Sequence, residues 1–315
     1  MTWCIYGAGA IGGVIAARLA LAGEEVALVA RGAQLAAIRE RGLVLRDPEG
    51  DRTLPLPVHE SAAGVGLRAG DTVLLAVKSQ DTAAALADLA AAAPAGVRVV
   101  CLQNGVDNER QALRYFDDVY GAAVTLLASF TEPGVVVAHS APLVGILQLG
   151  RAPGGADAAA EQLAGTLRSA GIRVDVTDDV MRYKNLKLLR NLGNAIEIVC
   201  SGAAPTLLAR ATAEGERVLA AAGAALPGPA EDVPGPEPVH PAVPRLGGST
   251  LQSVVRNSGS VETDYLNGEV ALLGRLHGIP TPANALLQRL AREVGAGTLA
   301  ARSLDESDLL ARIGG

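Results

Sequence analysis

The stretch TWCIYGAGAIGGVIAARLALAGEEVALVA, residues 2 to 30, constrains the fold more than any other part of the chain. Trp3 to Tyr6 is a short apolar run and reads as a strand. Ala10 to Ala22 carries apolar residues at helical spacing and stops at Gly23, as a helix C-terminus does. EEVALVA then reads as a second strand. Between the first strand and the helix, Gly7, Gly9 and Gly12 stand in the spacing G-x-G-x-x-G. Glycines alone mark any tight turn. Flanked by strand, helix and strand within about 30 residues, they describe the turn that receives a dinucleotide pyrophosphate. In that reading Gly7 makes the turn, Gly9 lets the backbone approach the phosphates, and Gly12 allows close helix–strand packing. Ala10 and Ile11 complete the cradle at the start of the helix.

The alternation continues. DTVLLAVK (Asp71 to Lys78) is a nearly continuous apolar run, as expected of a buried parallel strand. DTAAALADLAAAA reads as a helix, VRVVCLQ as a strand, and VYGAAVTLLASF as a further strand region. GVVVAHS and LVGILQLG read as strands near a sheet edge, followed by the helix ADAAAEQLAGTLRSA and the strand IRVDVT. Residues 1–177 are therefore expected to form an α/β, doubly wound, mostly parallel Rossmann-type sheet. From Asp178 the strand signal vanishes, and residues 178–315 read as an all-α second domain. The segment from Leu226 to Gly248 is too proline-rich for a continuous helix and reads as a surface loop, with a substrate lid as the alternative. At 315 residues the chain is long enough for two domains.

The bulk composition excludes several classes. A net charge of −6, from 27 basic and 33 acidic side chains, offers no basic surface for nucleic acid. No uninterrupted apolar run is long enough to span a membrane. Cys4, Cys101 and Cys200 are far apart, which fits neither a disulfide framework nor a zinc cluster and suits a reducing, cytoplasmic setting. The four histidines are equally scattered, so no metal site is expected.

An NAD site usually carries an acidic residue at the end of its second strand, to hold the ribose 2′-hydroxyl. Here that position is Arg31. A guanidinium suits a 2′-phosphate through charge-assisted bonds, so NADPH is the expected cofactor. Two more polar residues stand at strand ends, where open α/β sheets bind ligands: Lys78 after VLLAV and Asn104 after VVCLQ.

In the helical half, Lys187, Asn191 and Asn194 fall at i, i+4 and i+7, along one helix face. Lys184 shares that face and competes with Lys187 for any role. Further on, Glu262 is expected to open a helix whose positions Val261, Tyr265, Leu272 and Leu276 pack inward. Gly268 within it suggests a close backbone approach.

GAGAIGG, AVKSQDT, LQNGVDN, KLLRNLGN and ETDYLNGEV…HGIPTP occur in this order at suitable separations. Together they resemble the ketopantoate reductase (2-dehydropantoate 2-reductase) family over nearly the full chain. The resemblance implies a helical second domain of the 6-phosphogluconate dehydrogenase-like type and NADPH-dependent reduction of a 2-keto acid on the route to pantothenate. It further implies that Lys187 is the general acid and that Glu262 holds the substrate hydroxyl. Asn191 and Asn194 become substrate contacts, with Ser249 as a donor to the substrate carboxylate. Lys78 and Asn104 would line the cofactor–substrate junction. The family's second asparagine usually lies eight residues after the lysine, whereas Asn194 lies seven after it. The spacing around Ser249 and the proline-rich segment before it also depart from the family pattern. An NADPH-linked oxidoreductase acting on another ketone, imine or hydroxy acid, and a non-catalytic NADPH-binding protein, are the competing readings. The resemblance allows a monomer or a homodimer.

Overall fold

The structure is a computed structural model and describes residues 1–228, 250–251, 254 and 261–314. Its described residues divide into two compact units. One holds Met1–Gln103 and Asp107–Tyr183; the other holds Asn104–Val106 and the described residues from Lys184 onward.

The first unit contains strands β1 (Thr2–Tyr6), β2 (Glu25–Val29), β3 (Leu43–Asp47), β4 (Gly50–Leu54), β5 (Val58–His59) and β6 (Thr72–Leu75). It continues with β7 (Arg98–Cys101), β8 (Val119–Leu126), β9 (Ala128–Glu132), β10 (Val135–Ala138), β11 (Gly145–Arg151) and β12 (Ile172–Val176). Its helices are α1 (Ala10–Leu21), α2 (Gly32–Arg41), α3 (Thr82–Ala92), α4 (Asn108–Ala112) and α5 (Ala158–Ser169). The main sheet has the order β12-β11-β8-β7-β6-β1-β2-β5. Every neighbouring pair is parallel except β8 with β11. The chain runs outward from β1 through β2 in one direction and from β6 through β8 in the other. The C-terminal ends of β1 and β6 therefore flank the topological switch point at which such sheets bind ligands.

β1 shows why this sheet is buried on both faces. Trp3 and Ile5 join one core cluster with Ile15, Leu28 and Leu74. Cys4 and Tyr6 join another with Val29, Leu75 and Leu86. Successive side chains point to opposite faces of a strand, so an uninterrupted apolar strand requires cover on both sides.

A second, four-stranded sheet has the order β4-β3-β10-β9. The β3–β4 hairpin was not anticipated from the sequence, and GVVVAHS does not lie at an edge of the main sheet. Its strand β10 is an inner strand of the small sheet, parallel to β3 and antiparallel to β9. LVGILQLG supplies β11, which lies one strand in from the main-sheet edge. The physical reason is the same two-sided burial: all four residues of β10 are buried. Helix α1 is apolar nearly all round and covers one of its faces. The fit is close, because a Cβ on Gly13 would lie 2.6 Å from Val136 Cγ1.

The second unit is helical. Helix α6 (Val180–Asn191) enters it at Lys184 and is followed by α7 (Gly193–Val199), α8 (Pro205–Ala221) and a 3₁₀ turn at Glu262–Tyr265. Then come α9 (Asn267–His277), α10 (Pro282–Gly295) and α11 (Glu306–Ile313). One core cluster gathers Ile198, Val199, Leu207, Leu287 and Leu290; another gathers Leu188, Leu192, Val218, Leu266 and Val270.

Two expectations need correction here. Glu262 opens a 3₁₀ turn, and the α-helix starts only at Asn267. Leu272 and Leu276 do not pack inward but are 39% and 68% exposed. The buried stripe of α9 is instead Asn267, Val270, Ala271 and Gly274. Small residues set this face because neighbours come close: a Cβ on Gly274 would lie 2.7 Å from Ile279 O. Gly268 does permit a close approach, most tightly by a side chain and also by the backbone, with Thr263 O 3.3 Å from a Cβ built there. A Cβ there would lie 2.5 Å from Gln288 Nε2, which donates to Asp264 at 2.8 Å.

Candidate active site

The nucleotide cradle is built by the turn from β1 into α1. Gly7 has φ +110°, and a Cβ on it would lie 2.7 Å from Val77 N, the backbone just beyond β6. A Cβ on Gly12 would overlap Gly7 O and press on Ala76 and Ile5. Both positions therefore exclude a side chain from within the protein. Gly9 differs: nothing lies within 4 Å of a Cβ built there. The open space over Gly9 is what close approach of an external ligand requires. Gly9 is also the N-cap of α1, which has neither a side-chain cap nor an acidic residue in its first turn. The N–H groups of that turn, with half-buried Ala10 and Ile11, remain suited to an anion. These features fit a dinucleotide pyrophosphate.

Gln34, on the first turn of α2, braces this turn. Its Nε2 donates to Ala8 O and its Oε1 accepts from Gly134 N, both at 2.6 Å. No motif points to this residue. Arg31 follows β2 as the extended N-cap of α2, with its side chain exposed at the strand end.

Lys78 and Asn104 both stand in loops after strand ends, β6 for the first and β7 for the second, and both are half-buried. Beneath the loops is a buried polar chain that sequence reading did not find. Gln103 Nε2 donates to Thr82 Oγ1 at 3.1 Å, and Thr82 Oγ1 donates to Asn108 Oδ1 at 2.8 Å. Asn108 Nδ2 reaches Ser79 Oγ at 3.5 Å. The chain ties the loop after β6 to the loop after β7. Asn104 itself groups with the helical unit. The following Gly105 has φ +81°, and a Cβ on it would lie 2.8 Å from Tyr265 O. The Asn104–Gly105 turn therefore packs directly on the 3₁₀ turn that Glu262 opens.

On α6, Lys184 is buried and Lys187 half-buried, while Glu262 at the start of the 3₁₀ turn is also buried. Asn191 ends α6, and its Nδ2 is buried with no acceptor among the described residues. A helix break follows. Leu192 N donates to Leu189 O at 3.2 Å, a tightened i→i−3 turn, and Asn194 falls in the first turn of α7. Asn267 Nδ2 donates to Leu192 O at 3.2 Å and to Asn284 Oδ1 at 3.0 Å. Asn284 is held in turn by Glu214, so the break is anchored from three other helices. Ser249 lies outside the described residues, as do residues 229–248 of the proline-rich segment. Among the described residues no group of three His, Cys, Asp or Glu could hold a metal ion, and no helix is long and apolar enough to cross a membrane.

A doubly wound sheet with this glycine cradle, followed by a separate helical unit, defines a dinucleotide-binding chain of the Rossmann type. A family model described as ketopantoate reductase PanE/ApbA matches residues 3–154, and one described as its C-terminal domain matches residues 185–295. The chain belongs to this family. It is 32% identical over 303 residues to the 2-dehydropantoate 2-reductase of Archaeoglobus fulgidus, covering 93% of this chain and 97% of the relative. The protein of that name from Mesorhizobium japonicum is 32% identical over 330 residues, covering 92% and 98%. Among solved structures, a PanE/ApbA family ketopantoate reductase from Ralstonia eutropha JMP134 has a TM-score of 0.79 at 28% identity, covering 94% and 99%. D-mandelate dehydrogenase, solved with NADH and anilino(oxo)acetate, also has a TM-score of 0.79, and at 22% identity it shares the fold.

Proposed function

We propose that this chain reduces a 2-keto acid with NADPH, and that its substrate is 2-dehydropantoate, reduced to pantoate. Relatives of that name match over more than nine-tenths of both chains. NADPH rather than NADH is supported by Arg31, an exposed cation at the end of β2 where a carboxylate would serve a free ribose. The observation that carries the substrate side is Asn191 Nδ2, a buried donor with no acceptor among the described residues, one helical turn after Lys187. Such an orphan costs about 1–3 kcal/mol unless a ligand oxygen completes it.

When bound, the nicotinamide supplies a hydride to the keto carbon. Negative charge then builds on the ketone oxygen. The Lys187 ammonium stabilises that charge and delivers its proton, giving the alcohol. Asn191 donates to a substrate oxygen, Glu262 accepts from the substrate hydroxyl, and Asn194 and Ser249 add polar contacts. Lys78 and Asn104 border the cofactor–substrate junction. Lys187 is preferred to Lys184 because it keeps the partial exposure that contact with a substrate requires. The three buried cysteines, none in a disulfide, suit a reducing compartment, and we assign the protein to the cytoplasm.

The test is a turnover panel of 2-keto acids beginning with 2-dehydropantoate. The expected result is turnover of that substrate with NADPH, and a loss of kcat of about 10²–10⁴-fold in Lys187→Ala. Near wild-type turnover in Lys187→Ala, with activity abolished in Lys184→Ala, would overturn the assignment of the acid. Absence of turnover with 2-dehydropantoate alone would overturn the substrate.

A further inference from the structure

Asn267 is the first residue of α9, separated by Leu266 alone from the 3₁₀ turn that Glu262 opens. Leu266 is non-helical, with φ −118° and ψ −93°, and its side chain joins Leu188, Leu192 and Val270 in one core cluster. Asn267 itself is fully buried. Its Nδ2 donates to Leu192 O, in the break between α6 and α7, and to Asn284 Oδ1 on α10. The direction of these bonds is fixed. Asn284 Nδ2 donates to Ala211 O at 2.9 Å and to Glu214 Oε2 at 2.8 Å, so Asn284 Oδ1 is left to accept from Asn267. Asn267 Oδ1 is then buried without a donor among the described residues. The amide commits both protons to other segments and carries an unmade acceptor, which costs stability.

One side chain therefore joins two segments that carry proposed substrate contacts. On one side are α6 and α7, with Lys187, Asn191 and Asn194; on the other is the turn that begins at Glu262. The Asn104–Gly105 turn rests on the same 3₁₀ turn through Tyr265 O. We infer that Asn267 is a positioning residue for the keto acid: by tying the α6–α7 break to the Glu262 turn, it sets how Asn191 and Asn194 stand relative to Glu262. The inference rests on the substrate contacts proposed above and adds what holds them in place. Leu192 is the residue after Asn191, so a shift of the carbonyl that Asn267 holds carries Asn191 with it. A misplacement of about 1 Å is enough to lower a rate by about 10²-fold. Glu214, Asn284 and Asn267 all belong to the helical unit, whereas the glycine cradle belongs to the other. The effect is therefore expected on the keto acid and not on the cofactor.

The experiment measures kcat and KM for 2-dehydropantoate, and the NADPH dissociation constant by cofactor fluorescence. It uses the full-length wild type, Asn267→Ala, Asn191→Ala and the double variant. In Asn267→Ala, kcat/KM for the keto acid should fall about 10- to 100-fold, while NADPH binding stays within about twofold. On the Asn191→Ala background the same substitution should cost at least about fivefold less, because a group it positions is already gone. Asn267→Leu keeps the volume, removes the donor, and serves if circular dichroism shows that Asn267→Ala does not fold. Losses that simply multiply, or an equal loss of NADPH affinity, would mean a purely structural role and would overturn the inference. So would wild-type kcat/KM in a folded Asn267 variant, and with Asn191→Ala impaired the substrate reading then survives. Full activity in Asn191→Ala, or no turnover by the wild type, would overturn the substrate reading and the inference together.

Discussion

Glu214 offers the sharpest test of how the helical unit is held together. Helix α10 begins with Pro282, which has no N–H, and its N-cap Thr281 makes no side-chain cap bond. The cap comes instead from α8. Glu214 Oε1 accepts from Ala283 N at 2.9 Å, and Oε2 accepts from Asn284 N at 2.9 Å and Asn284 Nδ2 at 2.8 Å. The carboxylate is only 4% exposed, so water cannot replace it. In Glu214→Gln the amide oxygen can keep the two Asn284 bonds, but the amide nitrogen then opposes Ala283 N–H. One buried donor is orphaned and the charge at the helix N-terminus is lost, for about 2–3 kcal/mol. Glu214→Ala orphans the Ala283 and Asn284 backbone donors, leaves Asn284 Nδ2 only its bond to Ala211 O, and opens a cavity, for about 4–5 kcal/mol. Urea unfolding followed by far-UV circular dichroism at pH 7 measures both. The sole tryptophan, Trp3, is in the other unit, so its fluorescence is the wrong probe. A loss below about 0.5 kcal/mol in both variants would refute the capping role.

Other expectations are as specific. Gly12→Ala should abolish NADPH binding and lower stability, because its Cβ would overlap Gly7 O; Gly9→Ala, with open space around it, should leave stability unchanged within about 0.5 kcal/mol and weaken only the cofactor. Thermal unfolding with and without NADPH separates the two. Native protein should show no thiol reactive to Ellman's reagent at pH 8, and all three thiols after unfolding, since each cysteine is buried and burial raises Cys4 to about 12. Asp157 should contribute to acid sensitivity. Burial raises its carboxyl pKa, but Ala160 N–H, Arg151 and Tyr120 O–H together outweigh that and hold it below the ordinary 3.8. A depressed carboxyl stabilises the fold above its ordinary value, and that contribution is lost as pH falls through the lowered one. Asp157→Asn should therefore lower stability at pH 7 and shrink the difference from wild type as the pH falls below 3.8, as read by urea unfolding across that range.

What could be read from the chain was what is local. The glycine cradle announces itself because turn, helix and flanking strands are contiguous, and the alternation of strand and helix is enough to expect the doubly wound sheet. The small sheet was not legible, since the apolar run Val135–Val137 reads the same whichever sheet receives it, and its partner β3 lies some ninety residues earlier. The face of α9 was misread because bulk suggested leucines, whereas close packing selected Val270, Ala271 and Gly274. The start of α10 was legible in Pro282, but its cap is a glutamate 69 residues away.

The spacing of Asn194 shows how a local departure is absorbed by a non-local constraint. In an uninterrupted α-helix, at about 100° per residue, Asn194 would trail the direction of Lys187 by about 20°, while a residue eight positions on would lead it by about 80°. Leu192, however, has φ −61° and ψ −27°, the values of a 3₁₀ turn. Such a turn winds about 120° per residue, so one tightened step adds about 20° and returns Asn194 to the Lys187 stripe. The tightening is stabilised by Asn267 Nδ2 on Leu192 O, from 75 residues further along the chain. Asn267 is anchored through Asn284 to Glu214, so the stripe of Lys187, Asn191 and Asn194 depends on the same buried row that caps α10. The spacing that looked like a loss on the substrate side is thus compatible with a complete polar stripe, provided that row stays intact.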